Sequence, residues 1–264
     1  MIFTKNTNKI PLIKPGRALI GTSGWSYKHW ADGVFYPHKL PQREWLAFYS
    51  EHFRAVEVNS TFYHLLKKPV FEKWRLTVPD DFLFVIKANR YITHLKRLTE
   101  PESGTARFLE DISALDEKLG PALVQLPPSL TYDSGRLQNF LHVILNQKII
   151  PHVRIALEVR HASWLNDEAF EILRQNNVAL CFADWPGLNV DSPVTADFIY
   201  LRRHGPGAAY SSDYSAEMLQ KDAYKIAEWN EKGMDVFVFF NNDISGYAIK
   251  NAKQLKALLA ESSD

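Results

Sequence analysis

The sequence predicts a single α/β domain built as a (β/α)8 barrel of the TIM type, and three observations lead there. Eight short apolar runs are separated mostly by stretches of helical period. Most of these runs are apolar throughout rather than alternating, as strands covered on both faces of a parallel sheet are. The chain has 264 residues, 46% of them hydrophobic and 13% aromatic, which fits the roughly 250 residues of such a barrel better than an open doubly wound sheet. Residues 1–17 show no clear period and read as an N-terminal arm, leaving 18–264 as one barrel domain.

The first strand is the run A-L-I-G-T-S-G-W, 18–25, stopped by two glycines. The long connection after it carries Trp25, Tyr27, Trp30, Phe35 and Tyr36. Rings at this density either pack as a lid or present stacking surfaces for bases or sugars, and packing is favoured because rings mostly bury area. Trp45, Phe48, Tyr49, His52 and Phe53 recur at helical spacing behind Pro41 and give the first helix. A-V-E-V-N-S-T-F-Y, 55–63, is a second strand with Glu57 and Asn59 on its polar face. Pro69 with Val70 and Trp74 suggests a second helix. The run 82–90 is the third strand, ending in Lys87 and Asn89, with a basic loop behind it.

Phe108, Ile112, Leu115 and Leu119 mark a third helix that Gly120 caps and Pro121 ends. A-L-V-Q-L-P-P, 122–128, is the fourth strand and presents Gln125. Leu137, Phe140, Leu141, Ile144 and Leu145 line a fourth helix. R-I-A-L-E-V-R, 154–160, is the fifth strand, with Glu158 and Arg160 sharing one face, and Asn166 is placed to cap the helix that follows. V-A-L-C-F-A-D-W, 178–185, ends in Asp184. The segment 186–197 lacks helical period, so the helix between strands six and seven is missing or reduced. The run 197–205 is the seventh strand, with Arg202 and His204 on one face. A helix near 217–231 and the eighth strand, 235–243, follow. The last helix turns Ala248, Ile249, Ala252, Leu255 and Leu259 inward.

Net charge is +1, which excludes a globally basic, nucleic-acid-coating protein while leaving room for a local basic patch. The single cysteine, Cys181, rules out an intramolecular disulfide and a thiolate metal cluster, and a reducing, cytoplasmic setting fits best. No window approaches the roughly 18 continuous apolar residues of a membrane span, so no membrane partner is expected. The sequence gives no guide to oligomeric state.

The strand ends are polar, and in a barrel these ends form the pocket. Three readings compete. As an anion site, Arg160, Arg202 and Lys87 approach a phosphate or carboxylate from three strands. Gly205 and Gly207, with Asn241, Asn242, Asp243 and Gly246 after strand eight, supply loops where phosphate often binds. Trp25, Asn59, Asn89, Gln125 and Asp184 complete this ligand set. As a metal site, Glu57, Glu158, Asp184 and His204 offer oxygen and nitrogen ligands, but no metal-binding motif is present and the arginines oppose a divalent cation. As acid–base machinery, Glu57 and Glu158 form a carboxylate pair with His204 as proton carrier. The bland alternative is a self-satisfied ion-pair network. No metal or other cofactor is called for.

Six motifs in order, G-T-S-G-W, V-E-V-N-S-T-F-Y, the K-A-N-R strand end, Q-L-P-P, L-E-V-R-H-x-S-W and F-F-N-N-D-x-x-G-Y-A-I-K-N-A, resemble the YecE-like family, domain of unknown function 72. The resemblance runs from Leu19 to Leu259. It implies a TIM-type barrel similar in shape to endonuclease IV and the sugar isomerases, and it brings no agreed catalytic set. Arg203 stands where the family usually has an apolar residue, a departure that alternation places on the outer face. Two functions therefore stand open. One is an acid–base enzyme, of hydrolase or isomerase type, acting on a phosphorylated, sugar or nucleic-acid substrate at an anion pocket. The other is a non-catalytic nucleic-acid-binding module that uses Trp25, Tyr27 and Trp30 with Arg90, Lys96 and Arg97 on rim loops.

Overall fold

The computed structural model describes residues 14–185, 188, 192–207 and 210–261. Most of the expected arm and part of the segment 186–197 lie outside them. Strands β1 (Ala18–Thr22), β2 (Ala55–Val58), β3 (Leu83–Lys87), β4 (Leu119–Gln125) and β5 (Ile155–Glu158) appear in that order. The sixth apolar run is split at Cys181 into β6 (Ala179–Leu180) and β7 (Phe182–Ala183), followed by β8 (Phe198–Arg203) and β9 (Asp235–Phe240). The helices are α1 (Trp45–His52), α2 (Ser60–Tyr63), α3 (Lys68–Thr77), α4 (Pro101–Ile112), α5 (Ser134–Leu145), α6 (Asp167–Gln175), α7 (Ala216–Glu231) and α8 (Tyr247–Glu261). No helix forms among the described residues between β7 and β8.

All strand pairs are parallel, in two sheets ordered β1-β9-β8-β7 and β2-β3-β4-β5-β6. The two sheets meet at two seams where side chains replace the ladder. At the first, the Tyr49 hydroxyl accepts from Thr22 N (2.9 Å) and donates to Ala55 O (3.2 Å), so one phenol spans β1 and β2. At the second, Thr195 Oγ1 accepts from Leu180 N (2.8 Å) and donates to Val178 O (2.7 Å), while Cys181 N still bonds Leu157 O on β5 (2.9 Å). Each seam thus satisfies main-chain groups that an open edge would leave bare.

Two corrections concern local structure. Gly120 and Pro121 do not end a helix. The third helix stops at Ile112, a 3-10 segment covers Ser113–Lys118, and both residues sit inside β4. The β3–β4 register shifts there, from Phe84 opposite Leu119 to Ile86 opposite Ala122. A bulge is one of the few places a strand accepts a proline, because no ladder donor is lost. The tail of the second strand run is also not strand: 60–63 forms the short helix α2. Asn166, by contrast, caps α6 through its oxygen, 2.9 Å from Ala169 N, as its position predicts.

Alternation places two cores. Between strands and helices lies the larger one, with Val56, Phe84, Val124, Leu157 and Val238. The inner one is built from Leu19, Ala55, Val85, Leu123, Ala156, Tyr200, Phe237 and Phe239. Continuing those inner positions by two residues brings Glu57, Lys87, Gln125, Glu158, Arg202 and Asn241 to the same side at the carboxyl ends, so the inner apolar face ends in a polar layer.

Candidate functional site

The polar layer is organised by Arg202, which is 1% exposed. Its Nε and Nη2 donate to Glu57 Oε2 (2.9 Å) and Oε1 (2.7 Å), and its Nη1 donates to Glu158 Oε2 (2.5 Å). Ser23 Oγ (2.8 Å) and the Tyr200 hydroxyl (2.7 Å) fill the remaining positions on Glu57. Both carboxylates are fully buried. Burial alone would push them up, but Arg202 outweighs it, holding Glu57 low and, with Arg160, holding Glu158 well below the usual carboxylate range. Glu57 therefore has each oxygen doubly occupied and no proton to exchange near neutrality.

Arg160 sits on the other side of Glu158 and pairs with its Oε1. Its guanidinium carbon lies 3.5 Å from the centre of the Trp185 ring, a cation–π contact. Its Nη2 is 3.0 Å from His204 Nε2. The same Nε2 lies 3.4 Å from Glu158 Oε1, and Nδ1 lies 3.2 Å from the Asn241 amide nitrogen, so each ring nitrogen faces a side-chain donor and Nε2 also faces a carboxylate. Burial and then Arg202 lower the His204 pKa, consistent with a neutral ring. Among the described residues, Arg160 Nε and Nη1 are buried and have no hydrogen-bond partner. Two orphaned donors on a buried cation are costly unless something external accepts from them.

Lys87 completes the layer from β3. Its ammonium lies 4.4 Å from the centre of the Phe62 ring, and it remains partly exposed. Burial first, then the charge of Arg202, lower its pKa to about 8.

Several of the other expected ligand residues are engaged within the protein. Gly205 N donates to the Tyr214 hydroxyl (2.8 Å), Gly207 N to Ser212 Oγ (3.0 Å) and Gly246 N to Asp243 O (2.9 Å). These three amides are therefore engaged within the protein. Gly205 and Gly246 take positive φ, +115° and +72°, as turn residues. Asp184 accepts from His204 N (2.6 Å) and from the Tyr214 hydroxyl. Asn89 bonds Thr61 O (2.9 Å) and Tyr91 N (2.8 Å), and Gln125 bonds Leu126 O (2.7 Å). Asn242 donates to Ser212 O (2.9 Å) and Asn251 Oδ1 (2.8 Å), while its Oδ1 is buried with no hydrogen-bond partner among the described residues. Asp243 accepts from Trp30 Nε1 (2.8 Å) and contacts His29 Nε2 (2.8 Å), and burial raises its pKa to about 6. No group of three His, Cys, Asp or Glu side chains suited to a metal comes together among the described residues.

Trp30 is fully buried and clamped among Tyr27, Phe35 and Tyr36, which makes most of the ring-rich loop packing rather than display. Trp25 and Tyr27 instead line a groove of about 940 Å³ beside the β1 and β2 ends, with Asn59, Tyr63, Trp74, Arg43 and Lys73. Asn59 Oδ1 is buried there with no hydrogen-bond partner among the described residues. Arg203, on the outer face, makes a two-pronged pair with Asp222 of α7 at 2.7 and 2.6 Å, so an ion pair stands in the helix–sheet layer. Sequence reasoning missed Ser23, Tyr200, Trp185 and Tyr214. Period two from Arg202 and Gly21 points to Tyr200 and Ser23, whereas the two loop residues leave no comparable signal.

Parallel strands, helices outside and an ionised layer at the carboxyl ends place the molecule among TIM-barrel-like α/β proteins. More narrowly, the chain belongs to the family described as "Protein of unknown function DUF72", matched over residues 19–264. The UPF0759 protein YunF of Bacillus subtilis (strain 168) is 25% identical over 271 residues, covering 91% of this chain and 94% of that protein. The UPF0759 protein YecE of Escherichia coli (strain K12) is 30% identical over 143 residues, 54% of this chain and 48% of YecE. A DUF72 family protein from Thermotoga maritima superposes with a TM-score of 0.79 at 30% identity, covering 92% of this chain and 99% of that one. A D-psicose 3-epimerase solved in the presence of D-fructose gives a TM-score of 0.52 at 11% identity over 92% of this chain and 98% of its own, a likeness of fold. No helix among the described residues is long and apolar enough to cross a membrane.

Proposed function

We propose that the carboxyl-end mouth binds a compact anion, phosphate or carboxylate, between Arg160 and Lys87. The observation that carries this reading is the pair of buried nitrogens on Arg160 that have no hydrogen-bond partner among the described residues. Arg202 is not part of the grip, since its donors are taken by Glu57 and Glu158; its role is to hold those charges and set the layer. The potential near the mouth supports the reading: burial, then Lys87, Arg90, Arg160 and Arg97, lower the pKa of His94. The same reading takes the two sheets as one closed (β/α)8 cylinder sealed by Tyr49 and Thr195, with the helix between strands six and seven lost. A neutral His204 beside Arg160 is the group available for proton transfer on such a ligand, in an enzyme of isomerase or hydrolase type working in the cytoplasm.

The test is calorimetric titration with inorganic phosphate at low ionic strength. Binding that falls at least tenfold in both Arg160→Gln and Lys87→Met supports the pocket. Absence of binding by phosphate and acetate alike, or binding indifferent to both substitutions, overturns it. A second reading, a single-stranded nucleic-acid module, is favoured by the groove where Trp25 and Tyr63 stand with Arg43 and Lys73. It requires oligonucleotide affinity that falls steeply with salt and depends on Trp25 rather than on Arg160.

A further inference from the structure

Lys87 is unlike the other cations of the layer. Arg202 and Arg160 each pair with a carboxylate, and Arg203 does so outside. The Lys87 ammonium has no hydrogen bond among the described residues and rests on the Phe62 ring. It stands at the end of β3, within electrostatic range of both arginines, which lower its pKa, and of Glu158 and Glu57, which raise it. A cation needed only for charge balance would be expected against Glu57 or Glu158, but those oxygens are committed to the arginines. What remains is an amine on a fixed strand, largely dehydrated, where the like charge of the arginines is only partly offset by the carboxylates. These are the circumstances in which a lysine loses its proton and becomes a nucleophile.

We propose that Lys87 is an amine nucleophile that forms an imine with a small aldehyde or ketone bearing an anionic group, the anion being held by Arg160. The proposal rests on the anion reading of the mouth. The Lys87 nitrogen lone pair attacks the carbonyl carbon, forming C–N as the C=O π pair moves to oxygen. A proton passes from nitrogen to that oxygen, giving the carbinolamine. The hydroxyl then takes a proton from solvent and leaves as water while the nitrogen lone pair forms C=N, giving the protonated imine. No electron is gained or lost overall. The protonated imine withdraws electrons from the neighbouring carbon, the electronic requirement for breaking a C–H or C–C bond there. The lowered pKa, about 8, leaves on the order of a hundredfold more free amine at pH 7 than an ordinary lysine has.

The intact protein is incubated with glyoxylate or with glycolaldehyde phosphate at pH 7, reduced with borohydride and mapped by peptide mass spectrometry. The expected result is one secondary-amine adduct, at Lys87, formed at least tenfold faster than on any surface lysine. It should be suppressed by excess inorganic phosphate and absent from Lys87→Arg, whose folding is checked by circular dichroism. The preferred probe tells whether the anionic group is a carboxylate or a phosphate. Labelling spread over surface lysines, at equal rates in Lys87→Arg, overturns the imine. If phosphate still binds in an Arg160-dependent way, the anion reading stands without it. If neither adduct nor phosphate binding is found, both fall.

Discussion

Replacing Arg202 by methionine tests the electrostatics of the polar layer directly. Arg202 makes three hydrogen bonds to carboxylate, at 2.9, 2.7 and 2.5 Å, in a place where all three side chains are essentially sealed from water. Methionine keeps much of the apolar stem but leaves Glu57 without a cation partner and Glu158 with Arg160 alone. Breaking a buried pair from one side costs about 3–5 kcal/mol, so the variant should lose about that much stability at pH 7.5. The pH dependence should change sign. In the parent both carboxyls lie below their unfolded values, so their stabilisation is complete above the unfolded value near 4.5 and is lost as acid titrates them. In the variant burial dominates for Glu57 and its pKa rises, so stability is greatest in acid and declines as pH climbs through the raised value. Urea unfolding followed by tryptophan fluorescence at pH 5 and 7.5 reads both effects. A loss under about 1 kcal/mol with an unchanged pH slope would refute the reasoning, because the layer would then be solvated rather than sealed. Adding Glu57→Gln to the variant should recover part of the loss at pH 7.5.

Three further outcomes are expected. Tyr49→Phe removes the hydroxyl that spans β1 and β2, leaving Thr22 N and Ala55 O without it; unfolding should show a loss of about 1–3 kcal/mol, with faster amide exchange at Thr22. Lys87→Met should stabilise the protein at pH 7 by about 1–3 kcal/mol. The lysine's lowered pKa makes parent stability rise from pH 8 toward the unfolded value of 10.5, and this rise should vanish in the variant. Asp243→Asn should raise the melting temperature at pH 8 and change it little at pH 4. The aspartate's raised pKa, about 6 against an unfolded 3.8, makes the parent lose stability as pH climbs through that interval.

Period two was enough to bring Glu57, Lys87, Glu158 and Arg202 to one face and one end, because a strand leaves its side chains no other choice. What the ends do there is a matter of saturation, which spacing does not encode. Arg160 and Arg202 look equivalent as letters: each follows an apolar run and shares a face with a second polar residue. In space Arg202 finds two carboxylates and is finished, while Arg160 finds one, with His204 and the Trp185 ring, and is left with two unanswered donors. The same limit explains the glycines. Gly205 and Gly207 were legible as turns, but whether their amides face a ligand depends on Tyr214 and Ser212, which arrive from further along the loop and accept them. Gly120–Pro121 misleads for a related reason, since the pair halts a helix or seats a bulge with equal ease, and the β3–β4 register decides. In the polar layer, then, spacing brings the cations to one end, and the partners met there decide which donors stay unpaired among the described residues: two nitrogens of Arg160 and the Lys87 ammonium, not the most buried cation.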